Sequence, residues 1–224
     1  PRPSRTRTKP KSFAAGSADS RRRPAGPPSG EMGIPPEQMA FDIDGVFADT
    51  MTLFLDIARK DHGINHIQYQ DITHYFLEEC LDIAPEVIQA ILSRILEGDF
   101  RRELKPIKGS CEVLSTLAHH GPLLFVTARP TAPPIQAWVN DMLPDLPHGL
   151  EVIATGSFEA KGDVLETKGV RYFVEDYLEA CFALERHNIS PIVFHQPWNR
   201  YHHPFPEVSS WAEIGELVDL KSTQ

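Results

Sequence analysis

A chain of 224 residues with 41% hydrophobic content is long enough for one domain with an insertion and can bury a core without a disulfide or metal scaffold. It has no apolar run long enough to span a bilayer, and Cys80, Cys111 and Cys181 are odd in number and lack CxxC spacing, so they read as reduced thiols of a cytoplasmic protein. The net charge of −9 is unevenly spread: residues 1–31 hold eight of the 22 Lys and Arg and two of the 31 Asp and Glu, which leaves the rest with 14 basic and 29 acidic residues.

Residues 1 to about 36 are rich in Pro, Arg, Ser and Gly and show no periodicity. Such a segment cannot bury enough apolar surface to offset its ordering entropy, and disorder is expected. Its basic, acid-poor character also suits a nucleic-acid arm or a transit segment, although the apolar face of a transit helix is missing. The next stretch, Met39-Ala-Phe-Asp-Ile-Asp-Gly45, runs from apolar residues into two carboxylates one residue apart. It reads as a buried parallel strand from which Asp42 and Asp44 project together. Two adjacent carboxylates repel unless a cation or a shared proton compensates, which suggests a divalent-metal and phosphoryl site. The same letters also fit a strand end with an Asp-Gly turn.

Residues 47 to about 105 read as three helices, an inserted helical cap of an α/β core formed by residues 37–46 and 106–224. The first is capped by Asp49-Thr50 and stops near Gly63. A second spans roughly 70–82 with Ile72, Tyr75, Phe76 and Leu81. The third opens on Pro85 and ends before Gly98. From about 106 helix and strand alternate. A helix capped by Ser110 ends by Gly121, and strand 123–126 follows. Then come a helix through 135–142, strand 150–154, a helix from about Lys161 and strand 171–174. A helix from Tyr177 to about Arg186, strand 191–195 and a helix opened by the capping box Ser210-Trp211-Ala212-Glu213 complete the chain. This alternation predicts an α/β fold, a Rossmann-like parallel sheet sandwiched by helices.

Ligands of open parallel sheets bind beyond the carboxyl ends of the strands. Asp42 and Asp44 end the first strand, Thr127-Ala128-Arg129-Pro130 the second and Glu175-Asp176 the fourth, while Lys161 opens the helix before it. These four motifs, in this order, resemble the haloacid dehalogenase superfamily over about residues 39–220. Asp-Gly-Val-Phe-Ala-Asp, Val-Thr-Ala-Arg-Pro and Gln196-Pro197-Trp198-Asn199 resemble its nucleotidase-like branch. The resemblance implies a phosphomonoester hydrolase that works through an aspartyl-phosphate. It makes Asp42 the nucleophile and Asp44 the acid and base, and the presence of Asp44 argues against dehalogenation. Thr127, with Ala128, would bind the phosphoryl group, and Lys161 would neutralise charge. Mg²⁺ would sit on Asp42, the Asp44 carbonyl and Asp176, with Glu175 behind them. The Glu-Asp form of the acidic pair departs from the commoner patterns. Lys168 is a rival to Lys161, and Arg129 reads either as a phosphate ligand or as a surface residue. No GxxxxGK[ST] supports a P-loop kinase.

Phe47, Tyr75, Phe76, Trp198 and Asn199 are candidates for a substrate cleft between cap and core, although aromatics at such positions also serve as core or as loop anchors. The pairs His119-His120 and His202-His203 lack zinc-site spacing. The implied ligand is a small phosphorylated metabolite or nucleotide. A membrane or nucleic acid is not expected as a partner, and the oligomeric state is not legible. Two other readings share the motifs: a silent phospholigand- or protein-binding member of the fold, and a nucleic-acid 3′-end phosphatase that uses the basic tail.

Overall fold

The computed structural model describes residues 33–99, 101 and 103–218. The basic tail expected to be disordered therefore lies outside the described residues, except for its last few positions. These are tied down: the Ile34 N–H donates to the Leu217 carbonyl at 2.7 Å, and Ile34 is buried.

The sheet consists of β1 (Met39–Phe41), β2 (Leu123–Thr127), β3 (Leu150–Ala154), β4 (Tyr172–Glu175), β5 (Ser190–Phe194) and β6 (Glu207–Val208). All pairings are parallel, in the order β3-β2-β1-β4-β5-β6. The helices are α1 (Thr50–His62), α2 (Pro85–Glu97), α3 (Ser110–Leu117), α4 (Pro133–Met142), α5 (Lys161–Thr167), α6 (Leu178–Leu184) and α7 (Trp211–Leu217). Because β2 and β4 flank β1, the sheet changes direction at β1, and a crevice opens at its carboxyl end. This α/β architecture is the expected one. β6 has only two residues, too few to leave an alternating pattern in the sequence.

Local chemistry explains most boundaries. The Asp49 side chain accepts the Thr52 N–H and caps α1, which Gly63 terminates with φ +68°. Pro85 opens α2 and Gly98 closes it at φ +89°. Ser210 caps α7 by accepting the Glu213 N–H, while Glu213 accepts the Ser209 N–H.

Two expectations fail. No helix spans 70–82; the segment holds two short 3₁₀ turns, Tyr69–Asp71 and Leu77–Glu79. The Asp71 side chain accepts the Gln68 N–H at 2.8 Å, a local bond that competes with helix propagation. Ile72 is buried while Tyr75 and Phe76 are exposed, so the apolar residues do not share one helical face. Ser110 does not cap α3. Gly109 holds that position at φ +84°, and the Ser110 side chain is buried and makes no cap hydrogen bond among the described residues.

The segment between β1 and β2 leaves and rejoins the sheet at one place. The Asp49 N–H donates to the Lys105 carbonyl at 2.9 Å, and the Ile107 N–H to the Phe47 carbonyl at 2.7 Å. Beneath this junction Phe41, Phe47, Phe125, Trp138 and Trp211 form one aromatic cluster with ring centroids 4.8–6.4 Å apart. Trp211 is fully buried and its indole donates to the Val46 carbonyl at 2.8 Å, which fixes the loop after β1 from below. Trp211→Ala should therefore destabilise the protein by about 3–5 kcal/mol, measured by denaturant unfolding.

Candidate active site

Asp42 and Asp44 follow β1, Thr127 ends β2, Glu175 ends β4 and Asp176 follows it; Lys161 reaches them from the first residue of α5. Neighbouring strands in parallel register thus bring residues more than a hundred positions apart to one place. Asp42, Thr127, Lys161, Glu175 and Asp176 are all buried.

The Lys161 ammonium is the hub. Its Nζ lies 3.0 Å from Asp42 Oδ1 and 2.8 Å from Glu175 Oε2, and it sits 5.4 Å from the centre of the Phe173 ring. Burial opposes its charge, yet Asp42 and Glu175 raise its affinity for the proton well above the ordinary range. The rival Lys168 points elsewhere, pairing with Glu151 at the surface. Glu175 is saturated by donors. Its Oε1 accepts the Asp176 and Tyr177 N–H groups at 3.0 and 3.1 Å, and Oε2 accepts from Lys161.

The two aspartates after β1 meet opposite environments. Burial pushes the Asp42 carboxyl up to about 8; Glu175 and Asp44 add to the rise, and Lys161 opposes it. At Asp44 burial also favours the neutral form, but Arg129 and the Thr50 hydroxyl outweigh it and hold the carboxyl below its usual value. Arg129 grips Asp44 bidentately, with Nε to Oδ2 at 2.8 Å and Nη2 to Oδ1 at 2.7 Å. Its Nη1 reaches the Ile95 carbonyl of α2 at 3.5 Å. Arg129 is therefore a buried partner of Asp44 and not a surface residue.

Asp176 is raised well above an ordinary aspartate by burial, then by Glu175 and Asp42. The carboxylate oxygens of Asp42, Glu175 and Asp176 lie within 4.8 Å of one another, and Asp42 Oδ1 is buried without an aligned hydrogen bond. Three hard oxygen donors, underneutralised and facing each other, suit a divalent cation such as Mg²⁺. Since Glu175 already serves Lys161 and two backbone donors, Asp42 and Asp176 are the carboxylates with capacity left.

Above this floor opens a cavity of about 350 Å³. Thr127, Ala128, Arg129, Tyr75, Phe76 and Trp198 all line it, beside the apolar Met51, Ile72 and Leu92. Phe47 does not: it is wholly buried in the aromatic cluster below, because the turn after Asp44 points it into the core. Asn199 is also absent from the lining. It is buried as a loop brace, donating to the Asp176 and Phe194 carbonyls at 2.8 Å. Sequence reasoning missed Thr50, Gly45, Tyr69 and Gln196. Gly45 has φ +74°, and a Cβ there would lie 2.0 Å from Asp176 Oδ2, so the position admits only glycine. Tyr69 donates to Gln196 Oε1 at 2.9 Å, linking the segment after α1 to the loop after β5. The Asp-Gly dipeptide was the one available signal for Gly45. Thr50 reads in the sequence only as a helix cap although it bonds Asp44 six residues earlier, and the Tyr69–Gln196 bond joins residues distant in sequence and leaves no local trace.

A parallel sheet that brings carboxylates, a threonine and a lysine together at the carboxyl ends of its central strands is the arrangement that the resemblance to the haloacid dehalogenase superfamily implies. The fold agrees with solved structures. A haloacid dehalogenase-like family hydrolase from Streptococcus pneumoniae superposes with TM-score 0.52 at 14% identity, over 79% of this chain and 95% of that one. A haloacid dehalogenase superfamily hydrolase of subfamily IA from Geobacter sulfurreducens gives TM-score 0.51 at 16% identity, over 80% and 98%. No curated protein matches the chain significantly. The model of the family described as 5′ nucleotidase, deoxy (pyrimidine), cytosolic type C protein matches residues 37–224. The chain belongs to this family, and it is a phosphatase. Among the described residues no helix is long and apolar enough to cross a membrane.

The raised Asp42 carboxyl sets a pH dependence. An unfolded aspartate titrates near about 4, so between about pH 4 and 8 the metal-free folded chain holds a proton that the unfolded chain releases. Stability without metal should fall as pH rises through that window, and Asp176 acts in the same direction. Thermal unfolding in chelator from pH 5 to 8 should show this decline, and Asp42→Asn should make it shallower, leaving the part due to Asp176.

Proposed function

We propose that this chain is a Mg²⁺-dependent phosphomonoesterase acting through an aspartyl-phosphate on Asp42, with a nucleoside 5′-monophosphate or a similar small ester as substrate. The observation that carries the reading is the meeting of Asp42, Asp44, Thr127 and Asp176 at the lining of one cavity, with the buried Lys161 ammonium bonded to Asp42 behind it. The family match supports a nucleotide substrate, and the apolar walls formed by Met51, Ile72 and Leu92 suit a neutral planar leaving group. On this reading residues 47–105 form the cap over an α/β core.

The Thr127 hydroxyl and the main chain at Ala128 hold phosphoryl oxygens, and Lys161 balances the charge of nucleophile and ester. Asp42, Asp176 and the Asp44 carbonyl would hold Mg²⁺, which would supply Lewis-acid neutralisation of the phosphate charge. Asp42 attacks phosphorus as the ester P–O bond breaks, and the departing alkoxide takes a proton from Asp44. Asp44 then accepts a proton from water, whose oxygen attacks phosphorus and releases inorganic phosphate and free Asp42. For the first step Asp44 must carry a proton, yet Arg129 holds it ionised. The incoming phosphate dianion competes for Arg129 and so lets Asp44 take up that proton.

Purified protein should release phosphate from 5′-mononucleotides and from a generic aryl phosphate, stop on chelation and recover with Mg²⁺. Asp42→Asn should remove turnover, and Asp44→Asn should lower kcat by about 10²–10⁴-fold. Equal inertness of wild type and Asp42→Asn across a broad ester panel overturns the reading.

A further inference from the structure

The segment Gln196–Asn199 follows β5 and forms a 3₁₀ turn closed by its own side chains: the Gln196 N–H donates to Asn199 Oδ1 at 2.9 Å. The turn is buried, and each of its polar side chains reaches the acidic centre or the loop beside it. The Trp198 indole N–H donates to Asp176 Oδ2 at 3.0 Å. The Asn199 amide donates to the main-chain carbonyl of the same aspartate, and to Phe194 on β5. The Gln196 amide donates to the Gly45 carbonyl at 2.7 Å, while its oxygen accepts the Tyr69 hydroxyl. Asp176 Oδ2 is thus confined between the indole and the bare Cα of Gly45, where any Cβ would collide with it.

The choice of donor matters. Asp176 faces Asp42 and Glu175, and Lys161 already covers those two. A lysine or arginine at position 198 would neutralise Asp176 and compete with a cation for it. An indole N–H is a single neutral donor. It fixes one carboxylate oxygen and leaves the negative charge of the site in place. Groups that hold a ligating carboxylate in this way tune metal affinity without touching the metal.

We propose that Trp198, seated by Gln196 and Asn199, is a positioning residue that orients the Asp176 carboxylate for Mg²⁺. The proposal rests on the Mg²⁺ reading above. It also assigns a role to the Gln-Pro-Trp-Asn motif: Trp198 contributes a donor to the site as well as lining the cavity.

The test is calorimetric titration of the full chain with Mg²⁺ alone, without substrate, for wild type and Trp198→Phe, with metal-free thermal unfolding of both. Phenylalanine keeps an aromatic ring and removes the donor. The expected result is a Mg²⁺ affinity about 10–100-fold weaker in Trp198→Phe while the metal-free chain remains folded. Unchanged affinity in folded Trp198→Phe overturns this proposal alone; a wild type that takes up no Mg²⁺ overturns the parent reading and this one with it. Should the phenylalanine variant not fold, benzothienylalanine at position 198 keeps the bicyclic shape without the N–H, and its affinity is read against the same two outcomes.

Discussion

A buried ammonium between two buried carboxylates organises the whole upper edge of this sheet. Lys161 is 2% exposed and joins Asp42 after β1 to Glu175 at the end of β4, so it ties α5 to the two central strands. Removing one partner from such a group leaves an uncompensated buried charge, at a cost of about 3–5 kcal/mol. Lys161 still cannot balance the site. Asp42, Glu175 and Asp176 supply three carboxylates to its one ammonium, and the deficit falls on Asp42 and Asp176, the two whose affinity for a proton rises. Those two carboxyls hold protons where a divalent cation could stand instead, and that exchange is what suits the place to one.

That charge arrangement depends on topology before it depends on side chains. With β1 between β2 and β4, the loop after β1 crosses the point where the sheet reverses direction, and it must turn sharply while passing Asp176. Gly45 makes the turn possible, and the Trp211 indole bonded to the Val46 carbonyl holds the loop from beneath. Phe47 serves the same end by filling the space between Phe125 and Trp138. Its placement is structural, and it lets the aspartates one turn earlier face the cavity.

The central strands were legible because they are continuous apolar runs ended by polar residues, and the carboxyl-end rule then placed Asp42, Thr127 and Glu175 together without any contact information. α1 and α2 were legible because Asp49, Gly63, Pro85 and Gly98 punctuate them. The stretch around Ile72–Phe76 carries apolar residues at helical spacing without being a helix: all three line the cavity, but Ile72 is packed into the core while Tyr75 and Phe76 stand exposed. Sequence periodicity cannot separate residues buried by packing from apolar residues left exposed at a cavity. Arg129 shows a further limit. Two residues past Thr127 it fits both a phosphate ligand and a surface group, and only the fold reveals that its fork is already filled by Asp44.

Asp42 and Asp44 lie two residues apart on one strand end, and no property of the dipeptide pattern distinguishes them. Their surroundings do. Asp42 faces the other carboxylates and is 5% exposed, whereas Asp44 faces a guanidinium and a hydroxyl. In the proposed reaction the first must stay unprotonated to attack, which requires a cation, and the second must gain and lose a proton, which requires that Arg129 release it. The resting protein shows the opposite preference at both positions: Asp42 favours the proton and Asp44 resists it. On the proposed reading, a cation at Asp42 and a phosphate at Arg129 would reverse both preferences together, so that metal and substrate are each required before the two aspartates reach the protonation states the reaction needs.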